Sequence, residues 1–116
     1  VPTPSGIKVL GAATTRQMRE MLEGVVVSGT GTKAAVEGYA VAGKTGTAQK
    51  PMKDQRGYGD DFTSIFAGFV PAGAPQITIV VVLDEPKDHS ASRAVAPLFA
   101  DIATETLAAI GVPETG

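Results

Sequence analysis

The chain has 116 residues, which is enough for one domain and too few for several. Hydrophobic residues make up 43% and charged residues 19%, a composition that excludes intrinsic disorder and predicts a buried core. The net charge of −2 offers no basic surface for nucleic acid. With no cysteine and a single histidine, the chain lacks the usual zinc ligands, so we expect no metal site.

A helix is the first predicted element, from Thr14 to about Ser28. Thr14 and Gln17 have the spacing of a capping box, in which side chains satisfy the first free backbone N–H groups. Residues 1–13, rich in proline and glycine, are expected to form a linker or extended segment. Apolar residues recur at the spacing of one helical face, which we expect to lie in the core: Met18, Met21, Leu22, Val25 and Val26.

Three strands are predicted next. The first is expected over Tyr39–Thr47 and the second over Phe62–Val70, joined by a charged, exposed loop at 48–61. The segment Pro71–Pro75 predicts a turn before the third strand, Gln76–Leu83. Because this third strand is an almost continuous run of isoleucine, valine and leucine, we expect it to be central and buried on both faces.

A second helix is predicted from about Ser92 to Ile110, with Pro97 in its first turn. The order helix, three strands, helix predicts an α+β fold, in which two helices pack against an antiparallel sheet of about three strands. The expected buried face of the second helix consists of Val95, Leu98, Phe99, Ile102 and Ile110, with Leu107 at its margin.

One motif near the middle of the chain matches a nucleotide-binding signature. Gly38–Thr45 fits the pattern G-x-x-x-x-G-K-[ST], and the apolar run ending at Asp84 and Glu85 resembles the strand end that holds Mg²⁺ in nucleoside triphosphatases. A phosphate-binding loop needs a helix that begins directly after the Lys-Thr pair. Gly46 and Pro51 oppose such a helix, so this alternative is disfavoured.

The same lysine belongs to a second motif, Lys44-Thr45-Gly46-Thr47, at the end of the first predicted strand. A Lys-Thr-Gly motif is characteristic of serine acyltransferases that recognise penicillin. Gly29-Thr30-Gly31-Thr32 precedes it, Ala48-Gln49 follows it directly, and Phe66–Ala72 comes later. Over residues 14–112 this order resembles the C-terminal part of the transpeptidase domain of class B penicillin-binding proteins. The implied fold is part of a penicillin-binding transpeptidase or serine β-lactamase-like domain.

The resemblance implies a role for each residue of this motif. Lys44 places a fixed positive charge beside the catalytic hydroxyl network and the anionic substrate. Thr45 and Thr47, two residues apart on one face of a strand, bind a carboxylate, and the backbone N–H of Thr47 donates to the oxyanion. Gly46 has no Cβ, so the helix that carries the nucleophile can approach the strand closely. No metal or organic cofactor is implied.

The nucleophile of the family is not expected in this chain. The family requires a Ser-x-x-Lys motif, whose serine is the nucleophile, and a Ser-x-Asn motif, yet the chain contains no asparagine. The single Ser-x-x-Lys match, Ser5–Lys8, follows a proline-rich start and precedes Gly6, a poor beginning for a helix. We therefore expect residues 14–116 to be the C-terminal portion of a transpeptidase domain, with the remainder in the same protein or on a separate chain.

The activity implied by the resemblance is peptidoglycan cross-linking, in cell division or the maintenance of cell shape. A stem peptide acylates a serine, an amine of a second stem resolves the acyl-enzyme, and β-lactam antibiotics acylate the same serine. Implied partners are stem peptides, β-lactams and other cell-wall synthesis proteins, and the implied location is the outer side of the bacterial cell membrane, with an anchor absent from this chain. Alternatives that share the motif are a DD-carboxypeptidase, a serine β-lactamase-like hydrolase and a non-catalytic β-lactam-sensing or scaffold domain.

Three polar features outside the motif are also assigned. His89 and the pair Asp60 and Asp61 are expected to be solvated loop residues rather than ligands. The segment 50–61 is expected to border the substrate groove, because it leaves the motif strand directly.

Overall fold

The computed structural model describes residues 5–51, 58–84 and 94–114, with the backbone alone at 50–51 and 58–61. The predicted α+β fold, a three-stranded antiparallel sheet with two helices, is confirmed. None of the described helices is long and apolar enough to cross a lipid bilayer. In chain order the elements are helix α1 (Ala12–Ser28), a short 3-10 helix (Thr32–Ala34), strands β1 (Ala42–Pro51), β2 (Tyr58–Val70) and β3 (Ile77–Asp84), and helix α2 (Val95–Ile110).

The sheet has the order β1-β2-β3, with both pairings antiparallel. Thr45 lies opposite Phe66, and Phe66 lies opposite Val81, so these three side chains share one face of the sheet. We call this the α2 face, because the Phe99 ring of α2 packs on the Phe66 ring. The α2 face includes Thr45, Thr47, Ser64, Phe66 and Val81, and the second face includes Lys44, Gly46, Ile65, Val80 and Val82.

The centre of the core is the contact between Phe66 and Phe99, both fully buried, with ring centroids 4.8 Å apart. Gly43 and Gly68 lie directly opposite each other beneath these rings. A Cβ at Gly43 would be 2.7 Å from the Phe66 ring, and a Cβ at Gly68 would be 2.9 Å from the Phe99 ring. The paired glycines therefore make the space in which α2 packs on the sheet.

Strand β3 does not occupy the central position that its apolar run predicts. Among the described strands it is an edge, and β2 is the central strand because it pairs with both neighbours. Side chains of β3 alternate in exposure, with Val80 58% and Val82 53% exposed on the second face. Only the α2 face of β3 is covered, since α2 packs there.

Strand boundaries also differ from the prediction. Strand β1 starts at Ala42, and Tyr39 instead forms an isolated bridge with Val36 and donates its hydroxyl proton to the Val112 carbonyl. Residues 48–51 and 58–61, predicted as loop, are strand. Backbone pairing between β1 and β2 continues beyond the apolar residues, because ladder hydrogen bonds do not require apolar side chains.

Helix α1 begins earlier and is less buried than predicted. It starts at Ala12 after Gly11, without a side-chain cap, so the predicted capping box at Thr14 is wrong. Met18 and Met21 are 43% and 58% exposed, which contradicts their predicted place in the core. Val26 is the one buried residue of the helix, whereas Leu22 and Val25 are half-buried.

Helix α2 buries a different stripe from the one predicted. Leu107, placed at the margin, is fully buried, whereas Leu98, Ile102 and Ile110 are exposed. The small side chains of Ala96 and Ala103 allow close approach to the sheet, and their positions rotate the buried stripe away from the larger residues. The buried residues are Val95, Ala96, Phe99, Ala103 and Leu107. Pro97 lies in the first turn, as predicted.

Candidate functional site

The Lys44–Thr47 motif lies inside β1, as the sequence predicts. Strand alternation places Lys44 and Gly46 on the second face and Thr45 and Thr47 on the α2 face. Residues 42–51 are strand throughout, so no helix begins after the Lys-Thr pair. The nucleotide-binding interpretation is therefore wrong, because a phosphate loop needs a helix N-terminus there.

The Lys44 ammonium bends back onto the next residue. Its Nζ donates to the Thr45 carbonyl at 3.0 Å and to Thr45 Oγ1 at 3.2 Å. A hydroxyl that accepts from a cation becomes a stronger donor, since linked hydrogen bonds polarise one another. The arrangement therefore prepares the Thr45 hydroxyl to donate to an anion.

A second hydroxyl joins the motif from a distant part of the sequence. Thr30 follows α1, and its Oγ1 lies 3.3 Å from Thr45 Oγ1. The turn that presents Thr30 is held by the N–H groups of Gly29 and Gly31, which both donate to the Val25 carbonyl. The helix end thus positions Thr30 beside the motif strand.

A groove of about 540 Å³ opens along this edge of the sheet, between β1, the turn after α1 and the start of α2. It brings together Thr45, Gly46 and Thr47, three of the four predicted site residues. Lys44 lies next to it through its bonds to Thr45. The lining residues are Thr30, Lys33, Thr45, Gly46, Thr47, Ser64, Val95, Ala96 and Pro97.

Three polar lining residues received no site role from the sequence: Thr30, Lys33 and Ser64. Ser64 is buried and lies directly opposite Thr47 in the β1–β2 ladder. The Gly29–Thr32 segment belongs to the family resemblance and could have identified Thr30 as a site residue. Nothing in the sequence indicated its contact with Thr45. Ser64 could have been found only from the register of the β1–β2 pair.

The charge in the groove suits an anionic ligand. Lys33 lines it, and Lys44 lies at its edge. None of the described lining residues carries a carboxylate. Within the part of the chain that the structure describes, no group of three or more His, Cys, Asp or Glu side chains could hold a metal ion.

The surroundings of Gly46 are open. A Cβ at this position would have no atom of the described residues within 4 Å. By contrast, Gly43 and Gly68 are packed under aromatic rings. The packing of the described residues therefore gives no reason for a glycine at position 46.

Other sequence candidates are not brought to this groove. Ser5 lies in an exposed segment without helix or strand, before α1 begins. His89 lies outside the described residues, as do residues 52–57 of the segment expected to border the groove. Asp60 and Asp61 are part of β2, but their side chains are outside the described set.

Known proteins resemble this chain in sequence and in fold. A curated relative, penicillin-binding protein PbpB of Mycolicibacterium smegmatis, is 42% identical over 121 residues, covering 95% of this chain and 19% of that protein. The transpeptidase domain of Burkholderia pseudomallei penicillin-binding protein 3 superposes with a TM-score of 0.86 at 36% identity, covering 99% of this chain and 35% of that one.

A second solved structure, penicillin-binding protein 3 of Mycobacterium tuberculosis complexed with ampicillin, gives a TM-score of 0.83 at 36% identity. It covers 99% of this chain and 28% of that one, so this chain corresponds to a minor part of its relatives. The family model described as the penicillin-binding protein transpeptidase domain matches residues 2–104. The chain belongs to the penicillin-binding protein transpeptidase domain family.

Proposed function

We propose that the complete protein is a penicillin-binding peptidoglycan D,D-transpeptidase and that this chain supplies its Lys-Thr-Gly-Thr strand. The observation that carries the proposal is the Lys44 ammonium, held 3.2 Å from the Thr45 hydroxyl beside a groove without described carboxylates. Such a groove binds the free carboxylate that stem peptides and β-lactams share. The family match and the relative crystallised with ampicillin support the same substrate class.

In this proposal Thr45 and Thr47 donate their hydroxyl protons to the substrate carboxylate, and Lys44 supplies the positive charge. The Thr47 N–H donates to the oxyanion of the tetrahedral intermediate. The Thr45 carbonyl accepts a hydrogen bond from the Lys44 ammonium, so this side of the β1 backbone is accessible to a ligand. An accessible Thr47 N–H on the same side supports its role as the oxyanion donor. Residues two apart in an antiparallel strand direct their backbone groups to the same side.

The remainder of the transpeptidase domain carries the serine nucleophile, in the same protein or on a separate chain. The open space at Gly46 supports the close approach of another helix. An apolar groove on the second face also supports contact with the remainder of the domain. It has a volume of about 310 Å³, lies between α1 and the sheet, and is lined partly by Met18, Leu22 and Phe69. We propose that the segment before α1 connects the two portions and that α1 begins the C-terminal one.

The proposed reaction proceeds in two acyl transfers. The serine attacks the carbonyl of the terminal D-Ala-D-Ala bond, the last D-alanine leaves, and the amine of a second stem displaces the serine. A β-lactam acylates the same serine as its ring C–N bond breaks, the ring nitrogen takes up a proton and stays attached to the acyl group, and the resulting acyl-enzyme is resolved only slowly. We place the protein on the outer side of the cell membrane with other cell-wall synthesis proteins, where this substrate occurs.

Intact-mass spectrometry after incubation with benzylpenicillin tests the proposal. We expect one stable adduct on the complete protein and none on the 116-residue chain. An adduct on the short chain would place the nucleophile here and contradict the assignment of Ser5 as a linker residue. The absence of an adduct on the complete protein would refute the penicillin-binding function. Rapid loss of the adduct would instead identify a hydrolase.

A further inference from the structure

Lys33 contributes a charge to the groove from outside the Lys-Thr-Gly-Thr strand. It lies in the short 3-10 helix Thr32–Ala34 and lines the same groove as Thr45 and Thr47. Its side chain is exposed and forms no ion pair or hydrogen bond with any residue that the structure describes. The charge is therefore available to a ligand.

The backbone of Lys33 is held in place by its neighbours. Ala34 is fully buried, and its N–H donates to the Gly31 carbonyl at 2.9 Å. The Gly31 N–H in turn donates to the Val25 carbonyl at the end of α1. This chain of contacts fixes the origin of the Lys33 side chain at the wall of the groove.

Lys44 uses part of its hydrogen-bonding capacity within the chain, so this part is not available to a ligand. Two of its contacts are with Thr45, at 3.0 and 3.2 Å, and an ammonium has three donors. A second cation in the groove therefore adds attraction for an anion that Lys44 does not provide. The described lining residues include no carboxylate that would offset this attraction.

We infer that Lys33 is a specificity-determining residue that favours ligands with a free carboxylate in this groove. The inference rests on the proposed function and adds to it a residue outside the motif. A lysine on a flexible stem acts as a point charge, so its effect is attraction across the groove rather than one fixed hydrogen bond. Such attraction is screened by salt and acts most strongly on capture of the ligand.

The test measures the second-order rate constant of acylation in the complete protein, for benzylpenicillin and for its methyl ester, which has no carboxylate. We expect Lys33→Gln to slow acylation by benzylpenicillin about two- to fivefold, the range for an exposed charge pair, and Lys33→Glu to slow it further. Acylation by the methyl ester should stay the same. High salt should reduce the difference between the variants and the unaltered protein.

Lys8→Glu is the matched control, since Lys8 is an exposed lysine that does not line the groove. It makes the same charge change as Lys33→Glu and should leave both rate constants unchanged. Equal slowing of both compounds by Lys33→Glu would show a structural effect and overturn the inference, as would no slowing of either. An unaltered protein that forms no acyl-enzyme would instead refute the proposed function, and the inference with it.

Discussion

Glycines in the strands of this sheet serve two different purposes. Gly68 is enclosed, because a Cβ there would lie 2.8 Å from the Ala42 carbonyl oxygen and 2.9 Å from the Phe99 ring. Gly46 has no atom of the described residues within 4 Å of its Cβ position, and its backbone does not require a glycine. The first glycine belongs to the core of this chain, and we assign the second to the approach of a group from outside it.

We expect Gly68→Ala to destabilise the 116-residue chain by about 1–3 kcal/mol, the usual cost of overpacking a core. Gly46→Ala should leave its free energy of unfolding the same or slightly higher, because alanine restricts the unfolded chain. Urea denaturation of the two variants measures the difference. Equal destabilisation by both substitutions would contradict the packing described for these two sites.

In the complete protein, Gly46 should matter more for the rate of acylation than for stability. We expect Gly46→Ala to slow acylation by benzylpenicillin about tenfold or more, since small misplacements of reacting groups have large costs. The same substitution in the 116-residue chain provides the stability control. Normal acylation by the Gly46→Ala protein would show that no neighbouring helix needs this space.

The positive charge of Lys44 is expected to contribute to the rate of acylation. We expect Lys44→Gln to lower the acylation rate constant about 10²–10³-fold, as for removal of one preorganised electrostatic contact. The reason is that the ammonium polarises the Thr45 hydroxyl as well as the bound anion. Arg16→Gln, on the exposed surface of α1, is a control that should retain the full rate.

Helix α2 shows what determines which face of a helix is buried. Leu107 is fully buried, whereas Ile102 is exposed although both are large and apolar. The stripe that packs contains Ala96 and Ala103, whose small side chains let the helix approach Phe66 and the sheet. Shape complementarity, and not the number of large apolar residues, sets the rotation of the helix.

Alanine substitutions in α2 test this packing. We expect Leu107→Ala to lower the free energy of unfolding of the 116-residue chain by about 2–5 kcal/mol, the cost of a core cavity. Ile102→Ala should cost less than about 1 kcal/mol, because an exposed side chain leaves no cavity. Chemical denaturation distinguishes the two, and a larger effect at Ile102 would contradict the observed rotation.

At the scale of the whole molecule, the second face of the sheet is only partly covered by α1 among the described residues. Val80 and Val82 are more than half exposed, and α1 leaves Met18 and Met21 exposed on its own surface. Large apolar side chains exposed on neighbouring elements are typical of an interaction site. The chain corresponds to 35% of a solved transpeptidase domain, so we propose that the remainder of the domain covers this surface.

A charge placed on the exposed part of the second face tests that proposal. We expect Val80→Lys to destabilise the complete protein by several kcal/mol, because it buries an unpaired charge, and to leave the stability of the 116-residue chain nearly unchanged. Gln76→Lys, at the exposed residue directly before β3, is the control. Differential scanning calorimetry of both proteins gives the comparison. Equal tolerance of Val80→Lys in both would show that the face stays open.

The sequence by itself determined the element order, the turn before β3 and the strand position of Lys44–Thr47. These features depend on local patterns: apolar periodicity, proline and glycine in turns, and residue alternation along a strand. The resemblance of the motif region led to the right family. It did so because the motif residues are contiguous in the chain.

Only the tertiary structure decided which distant residues meet. Thr30 reaches Thr45, Ser64 lies opposite Thr47, and Lys33 faces the same groove, all through packing and register. The edge position of β3 could not be predicted from the sequence either, since a continuous apolar run predicts burial but does not identify the element that covers the strand. Local propensity is a property of neighbours in sequence, whereas burial and site assembly depend on the shapes of elements that are far apart in the chain.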